Sequence, residues 1–167
     1  MVKLNMYKIL FTLFIFSTSM FAQSFHFQEI RYNNALDKSK TLEGNISFVK
    51  NGLLIDYTDK KQSLHYINAI LEYTKDEKII TLDEKNAQRI KEYFDILILL
   101  HDADEKKLEE DFIVEKDAQT LLLTPKTIIK NFIKKIKLTK EKNELKSVQL
   151  ILNNGDLITI NISNEIS

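Results

Sequence analysis

The first side chains in this sequence that could hold a metal or move a proton are its three histidines, His26, His65 and His101. None stands in an HxH or HExxH spacing, which would turn two imidazoles toward one cation. His26 and His65 fall in stretches that alternate like strands. His101 closes a helical pattern, where the helix dipole favours a positive charge. All three read as structural or surface residues. The chain has no cysteine, so disulfides, thiolate nucleophiles and Cys-ligated metals drop out together. It has no GxSxG elbow, no Ser–His–Asp layout and no phosphate loop. With no visible nucleophile, metal or acid–base pair, we expect no catalytic residue, no metal, no cofactor and no enzyme activity.

Three further groups carry charge or aromatic surface. Asp102, Asp104, Glu105, Glu109, Glu110 and Asp111 form an acidic cluster. It lacks the spacing and the glycine of an EF-hand, and it reads as the solvated start of a helix rather than a calcium or partner site. Lys126, Lys130, Lys134, Lys135, Lys137, Lys140, Lys142 and Lys146 form a basic run diluted by Glu141 and Glu144. Its two readings are contact with an anionic lipid surface or acidic partner, and the solvent face of neighbouring strands, where Lys also blocks edge pairing. Tyr32, Tyr57, Tyr66 and Tyr73 have the composition of a carbohydrate face but read more simply as half-buried strand residues.

The whole chain has 24 basic and 24 acidic residues among 167, which argues against a nucleic-acid partner. Its length and 44% hydrophobic content suit one domain with a real core. At the N-terminus, Lys3 and Lys8 precede the apolar run Ile9–Phe16 and then the polar Ser17–Ala22. This is the layout of a secretory signal, and the run is short of the roughly 20 residues of a membrane span. Cleavage is expected after Ala22, with Ser19 as the alternative. Residues 1–22 are therefore a signal peptide and 23–167 a single domain. With no Cys after the apolar run, the chain is not expected to be acylated itself.

Those side chains need elements to hold them. Phe25, Phe27, Glu29 and Arg31 alternate with His26, Gln28, Ile30 and Tyr32, a strand with one mixed face. Ile46 and Phe48 share a face, Lys50-Asn51-Gly52 supplies a turn, and Leu53, Ile55 and Tyr57 continue the alternation. Short strands follow at Leu64–Ile67, Ile70–Tyr73 and Ile79–Leu82. The period then changes: Asp83 caps a helix in which Ala87, Ile90, Phe94, Leu97, Ile98 and His101 share one side at helical spacing. Asp102 or Asp104 starts a second short helix through Glu110, with Leu108 as its apolar contact. Strands return at Phe112–Lys116 and Leu121–Leu123. Ile128–Leu138 divides into a helical turn and a strand from Ile133. Val148, Leu150 and Leu152 share a face, Asn153–Asp156 turns, and Ile158, Ile160 and Ile162 close the chain. The fold class is mainly β (α+β): a curved antiparallel sheet or incomplete barrel with a helical lid. Such an interior is either solid core or a ligand cavity, and the pattern alone leaves both open.

Gly44–Lys50 followed by Leu53–Thr58 resembles the strand pair of the LolA family, periplasmic carriers of outer-membrane lipoproteins. Phe27-Gln28 is similar to the family's early strand motif, and Leu122-Leu123-Thr124-Pro125-Lys126 to its apolar-Thr-Pro-Lys strand end. The helical excursion and the Asn154-Gly155-Asp156 hairpin follow in the family's order. This chain departs from the pattern where the family has an Arg-Pro turn, since Asn51-Gly52 stands there, and where it has a Trp, replaced by Ile55 or Tyr57. It resembles a divergent member.

The resemblance implies an unclosed barrel with a helical lid over a cavity for acyl chains. It implies a periplasmic carrier of acylated lipoprotein or lipid, taking cargo from an inner-membrane release complex and passing it to an outer-membrane receptor. The cavity candidates are Phe27, Ile46, Phe48, Leu53, Ile55, Tyr57, Leu64 and Tyr66 on the sheet, with Phe94, Leu97, Ile98 and Leu108 on the lid. The alternative is a periplasmic protein-interaction or lipid-sensing domain on the same half-barrel, with no cavity.

Overall fold

The computed structural model describes residues 23–58, 60–103, 105–117, 119–142 and 144–165. The expected signal peptide lies outside them. The chain begins with β1 (Gln23–Asn33), β2 (Lys38–Val49), β3 (Gly52–Tyr57), β4 (Gln62–Ile67), β5 (Ile70–Lys75) and the two-residue β6 (Lys78–Ile79). Helices α1 (Glu84–Asp102) and α2 (Glu105–Asp111) follow. The chain then returns through β7 (Phe112–Asp117), β8 (Thr120–Pro125), a 3₁₀ turn at Ile128–Asn131, β9 (Ile133–Glu141), β10 (Glu144–Leu152) and β11 (Leu157–Glu165).

All eleven strands form one antiparallel sheet in the order β6-β5-β4-β3-β2-β1-β11-β10-β9-β8-β7. Every pairing is between chain neighbours except one, in which β1 pairs with β11 from Phe25↔Glu165 to Tyr32↔Leu157. That single long-range pairing joins a six-strand meander to a five-strand one. The sheet is curved and does not close into a barrel, because β6 and β7 are its two edges. The helical excursion runs between those edges and covers the concave face.

The alternation read from the sequence is the alternation of burial. On β2 the burial runs Leu42, Ile46 and Phe48 inward, and on β3 Leu53, Ile55 and Tyr57. The register matches them, with Ile46 opposite Ile55 and Phe48 opposite Leu53. The β2–β3 turn is Lys50–Asn51, with Asn51 at φ 59°. Gly52 already belongs to β3, where a Cβ would stand 2.3 Å from the Tyr66 carbonyl oxygen on β4. Its missing side chain therefore serves strand packing rather than the turn. Asn68–Ala69 and Asp76–Glu77 make two-residue turns with positive φ at both positions, which matches the twist of a hairpin.

Two irregularities break the period between β9 and β10. Lys146 is extra between Leu145↔Lys140 and Ser147↔Thr139, and Lys134 is extra between Ile151↔Lys135 and Leu152↔Ile133. Each bulge shifts the parity, so the buried residues read Ile133, Ile136, Leu138 on β9 and Leu145, Val148, Leu150 on β10. The expected strand at Ile79–Leu82 is shorter than its apolar run. It pairs only as Lys78–Ile79, and the chain then leaves the sheet for Asp83.

Asp83 caps α1, its Oδ1 accepting from the Asn86 N–H at 3.0 Å. Phe94, Ile96, Leu97 and Leu100 are buried and Ile90 and Ile98 half-buried, so the second half of the helix is covered on more than one side. Phe94 meets Tyr66 edge to face at 6.0 Å, and Leu100 and Leu108 are fully buried. α2 begins at Glu105, and Asp104 lies outside the described residues.

Candidate functional site

The predicted cavity residues converge. Phe27, Ile46, Phe48, Leu53, Ile55, Tyr57 and Tyr66 from the sheet and Phe94, Leu97 and Leu108 from the helices belong to one buried cluster. Leu64 and Ile98 are half-buried against it. The middle of α1 is seated directly on the sheet. Open space lies instead at the C-terminal end of α1, on the rim that also holds the start of β1 and the β9–β10 turn.

Two adjoining cavities open there. The larger, about 610 Å³, has Ala103, Leu108 and Leu121 as its apolar wall and Lys116, Gln119, Lys140, Glu105 and Asp102 around its mouth. The smaller, about 230 Å³, is a slot between Phe25, Phe48, Leu145 and Ile162, with Glu144 at its edge. His101 and Lys142 line both. Of the predicted cavity residues, Phe48 and Leu108 line this space.

His101 is held in the partition by two contacts. Its ring stacks on Phe48 with centroids 3.7 Å apart and planes 9° from parallel. Its Nδ1 lies 2.7 Å from the Asp102 Oδ1. The helix ends beside it: Ala103 donates its N–H to the Leu99 carbonyl, and the Ala103 carbonyl accepts from the Lys140 ammonium at 3.0 Å. A lysine at that point answers the negative end of the helix dipole. Glu105 on α2 pairs with Lys116 on β7, so the two helix ends around the mouth are both tied to the far meander.

A second polar feature lies beneath α1. Glu29 is 1% exposed, the one buried charged residue among those described. Arg31 donates to it from Nε at 2.8 Å and Nη2 at 3.1 Å, a two-pronged clasp. The Tyr57 hydroxyl lies 3.3 Å from its Oε2, and the Tyr93 hydroxyl on α1 donates to its Oε1 at 3.1 Å. Burial and the adjacent Glu29 carboxylate push both tyrosine hydroxyls well above their ordinary pKa. The Arg31 guanidinium is likewise held charged by Glu29 against its own burial. This cluster ties β1, β3 and α1 together by charge-assisted hydrogen bonds.

The alternation of β1 had placed Glu29 and Arg31 on one face with Phe25 and Phe27, and a charge pair on an apolar face is the signal that marks such a cluster. Nothing local foretold Tyr93, which arrives from 64 residues away. Within the basic run, Lys140 and Lys142 stand at the cavity mouth, while Lys126, Lys130, Lys134 and Lys137 are exposed. The other histidines stay outside: His26 is exposed, and the His65 Nε2 lies 3.3 Å from the Asp56 Oδ1 at the surface. Within the acidic cluster, Asp102 and Glu105 have the partners just described, and the Glu109 carbonyl accepts from the Lys126 ammonium. Tyr57 and Tyr66 are buried and Tyr32 and Tyr73 half-buried.

No family model matches the chain. No curated protein matches it either. Among solved structures, a crystal structure of a LolA superfamily protein from Nitrosomonas europaea is similar over 87% of this chain and 86% of that one, at 8% identity and a TM-score of 0.41. So loose an overlap decides nothing about this chain, and its own geometry carries the functional reading.

Proposed function

We propose that this protein is a non-enzymatic periplasmic carrier. It shields the acyl chains of lipoproteins or lipids on their way toward the outer membrane. The observation that carries the reading is the pair of cavities at the end of α1, which lead from solvent to the apolar residues Phe25, Phe48, Leu145 and Ile162. The larger falls in the range of about 300–1,000 Å³ usual for small-ligand sites. The order of the LolA-like sequence motifs and the secretory layout of residues 1–22 support the same reading.

Physically, each methylene taken from water contributes roughly 0.8 kcal/mol, so even a partly enclosed chain is held. The first methylenes of a cargo chain occupy the slot as it stands. A longer chain enters by displacing α1, so that Phe94, Leu97 and Leu100 are exchanged for acyl carbon against the same sheet residues. The sequence-inferred partners, an inner-membrane release complex and an outer-membrane receptor, belong to this proposal.

The test is to purify the protein from the envelope fraction of producing cells and identify co-purifying species by native mass spectrometry. An acylated lipoprotein or lipid at stoichiometric occupancy is expected. Its absence, with no uptake of acyl chains added to the purified protein, would overturn the reading. The rival, a protein-contact domain, would then be sought at the exposed Ile70 and Ile79 on the β5–β6 edge.

A further inference from the structure

The two cavities differ in the side chains that line them. The 230 Å³ slot takes Phe25, Phe48, Leu145 and Ile162 from β1, β2, β10 and β11, and His101, Lys142 and Glu144 complete its lining. The 610 Å³ cavity outside it has three lysines around its mouth, Lys116, Lys140 and Lys142. Lys142 and His101 stand where one space passes into the other. The carboxylates that line the two cavities each have a partner: Asp102 has His101, Glu105 has Lys116, and Glu144 has Lys146 at 2.8 Å. Lys140 turns its ammonium to the Ala103 carbonyl. Lys142 makes no direct ion pair among the described residues, although its charge acts on the Glu144 carboxylate, and it is exposed on the tight turn after β9 at φ 50°.

We propose that this site selects a single-chain amphiphile with an anionic head, of the alkyl phosphate or fatty acid class. The tail lies in the slot between Phe48 and Leu145, and the head lies in the outer cavity against Lys142 with Lys140 behind it. The claim rests on the acyl-binding reading above and adds to it the charge of the head and the place where that head is read. The physical reason is a division of labour. The slot removes apolar carbon from water without regard to the head. A lysine at its entrance gives a phosphate or carboxylate a charge-assisted contact and a sugar head only the weaker neutral hydrogen bond. His101, stacked on Phe48, stands between the two spaces, and the 230 Å³ of the slot has room for one tail.

The experiment titrates the purified full mature chain, below micelle concentrations, with dodecyl phosphate, with dodecyl maltoside and with inorganic phosphate, and reads binding by calorimetry. Dodecyl phosphate is expected to bind one to one and about tenfold tighter than dodecyl maltoside, as one charge-assisted contact allows. The preference should shrink as salt rises. Lys142→Glu should remove the preference for dodecyl phosphate over dodecyl maltoside. Equal affinity for the two alkyl probes at low salt would overturn the inference and leave the acyl-binding reading standing. Inorganic phosphate binding as tightly as dodecyl phosphate would also overturn it, by showing a free-anion site with no role for the slot. Failure of both alkyl probes to bind would remove the acyl-binding reading and this inference together. The salt dependence in the unaltered protein decides the question even where Lys142→Glu perturbs the turn.

Discussion

Glu29 sets the terms at the scale of single residues. A carboxylate without solvent is tolerable only where its oxygens are fully engaged, and here Arg31, Tyr57 and Tyr93 engage them. Tyr93→Phe removes one of those donors and keeps the ring. It should lower the unfolding free energy by about 1–3 kcal/mol, measured by urea denaturation. The same tyrosines predict an alkaline response. Burial raises the pKa of Tyr57 and Tyr93, and burial with the Asp95 carboxylate pushes the Tyr66 hydroxyl up to about 12. A raised folded-state value means the folded chain keeps the proton where the unfolded chain has lost it. The stability these groups contribute is complete below about pH 10, the unfolded value, and is lost as pH rises toward 12. Phenolate absorbance should show Tyr57, Tyr66 and Tyr93 still protonated above pH 10 until the protein unfolds.

At the scale of elements, the hairpins divide into positions where glycine is needed and positions where it is missing. Gly44 lies between β1 and β3, and a Cβ there would stand 2.1 Å from the Asp56 carbonyl oxygen. Gly44→Ala must push β2 and β3 apart, and a loss of about 1–3 kcal/mol is expected from overpacking. Ala69 is the reverse case, a side chain held at φ 63° in the β4–β5 turn. Ala69→Gly relieves a left-handed conformation and should raise stability by up to about 1 kcal/mol, after the entropy that glycine adds to the unfolded chain. Thermal unfolding of the two variants should therefore shift in opposite directions. The sequence pattern announced both hairpins, because turn residues and strand alternation are local. It placed Gly52 in the turn, whereas the close approach of the Tyr66 carbonyl, which puts Gly52 on β3, is a property of β4.

At the scale of the whole molecule, one pairing holds two meanders together. β11 is the partner of both β1 and β10. A chain ending after residue 156 loses both ladders and exposes two strands that were central. It should fail to fold and should aggregate, as read by circular dichroism and size exclusion, whereas loss of the two-residue edge β6 should be tolerated. The helical excursion links the two edges, β6 and β7. That leaves α1 to cover the concave face with its C-terminal end at the open rim, where the cavities lie.

Local pattern was enough for most strands and turns, the inward residues of β1 to β3, and the cap and apolar stripe of α1, and composition for the lack of cysteine. Each is a matter of period or of side-chain type, readable within a dozen residues. It also gathered apolar residues, from Phe27 to Leu108, that pack into or against one buried cluster, because burial follows alternation. Tertiary structure decided where those residues pack closely and where room is left. It seated Phe94 and Leu97 on the sheet and brought Phe25, Phe48, Leu145 and Ile162 around a slot. It also turned Tyr93 onto Glu29 and set Lys140 and Lys142 beside the end of α1. These depend on the β1–β11 pairing, on the two bulges that shift β9 and β10, and on the angle at which a helix crosses a curved sheet. They are long-range geometries that no local spacing encodes.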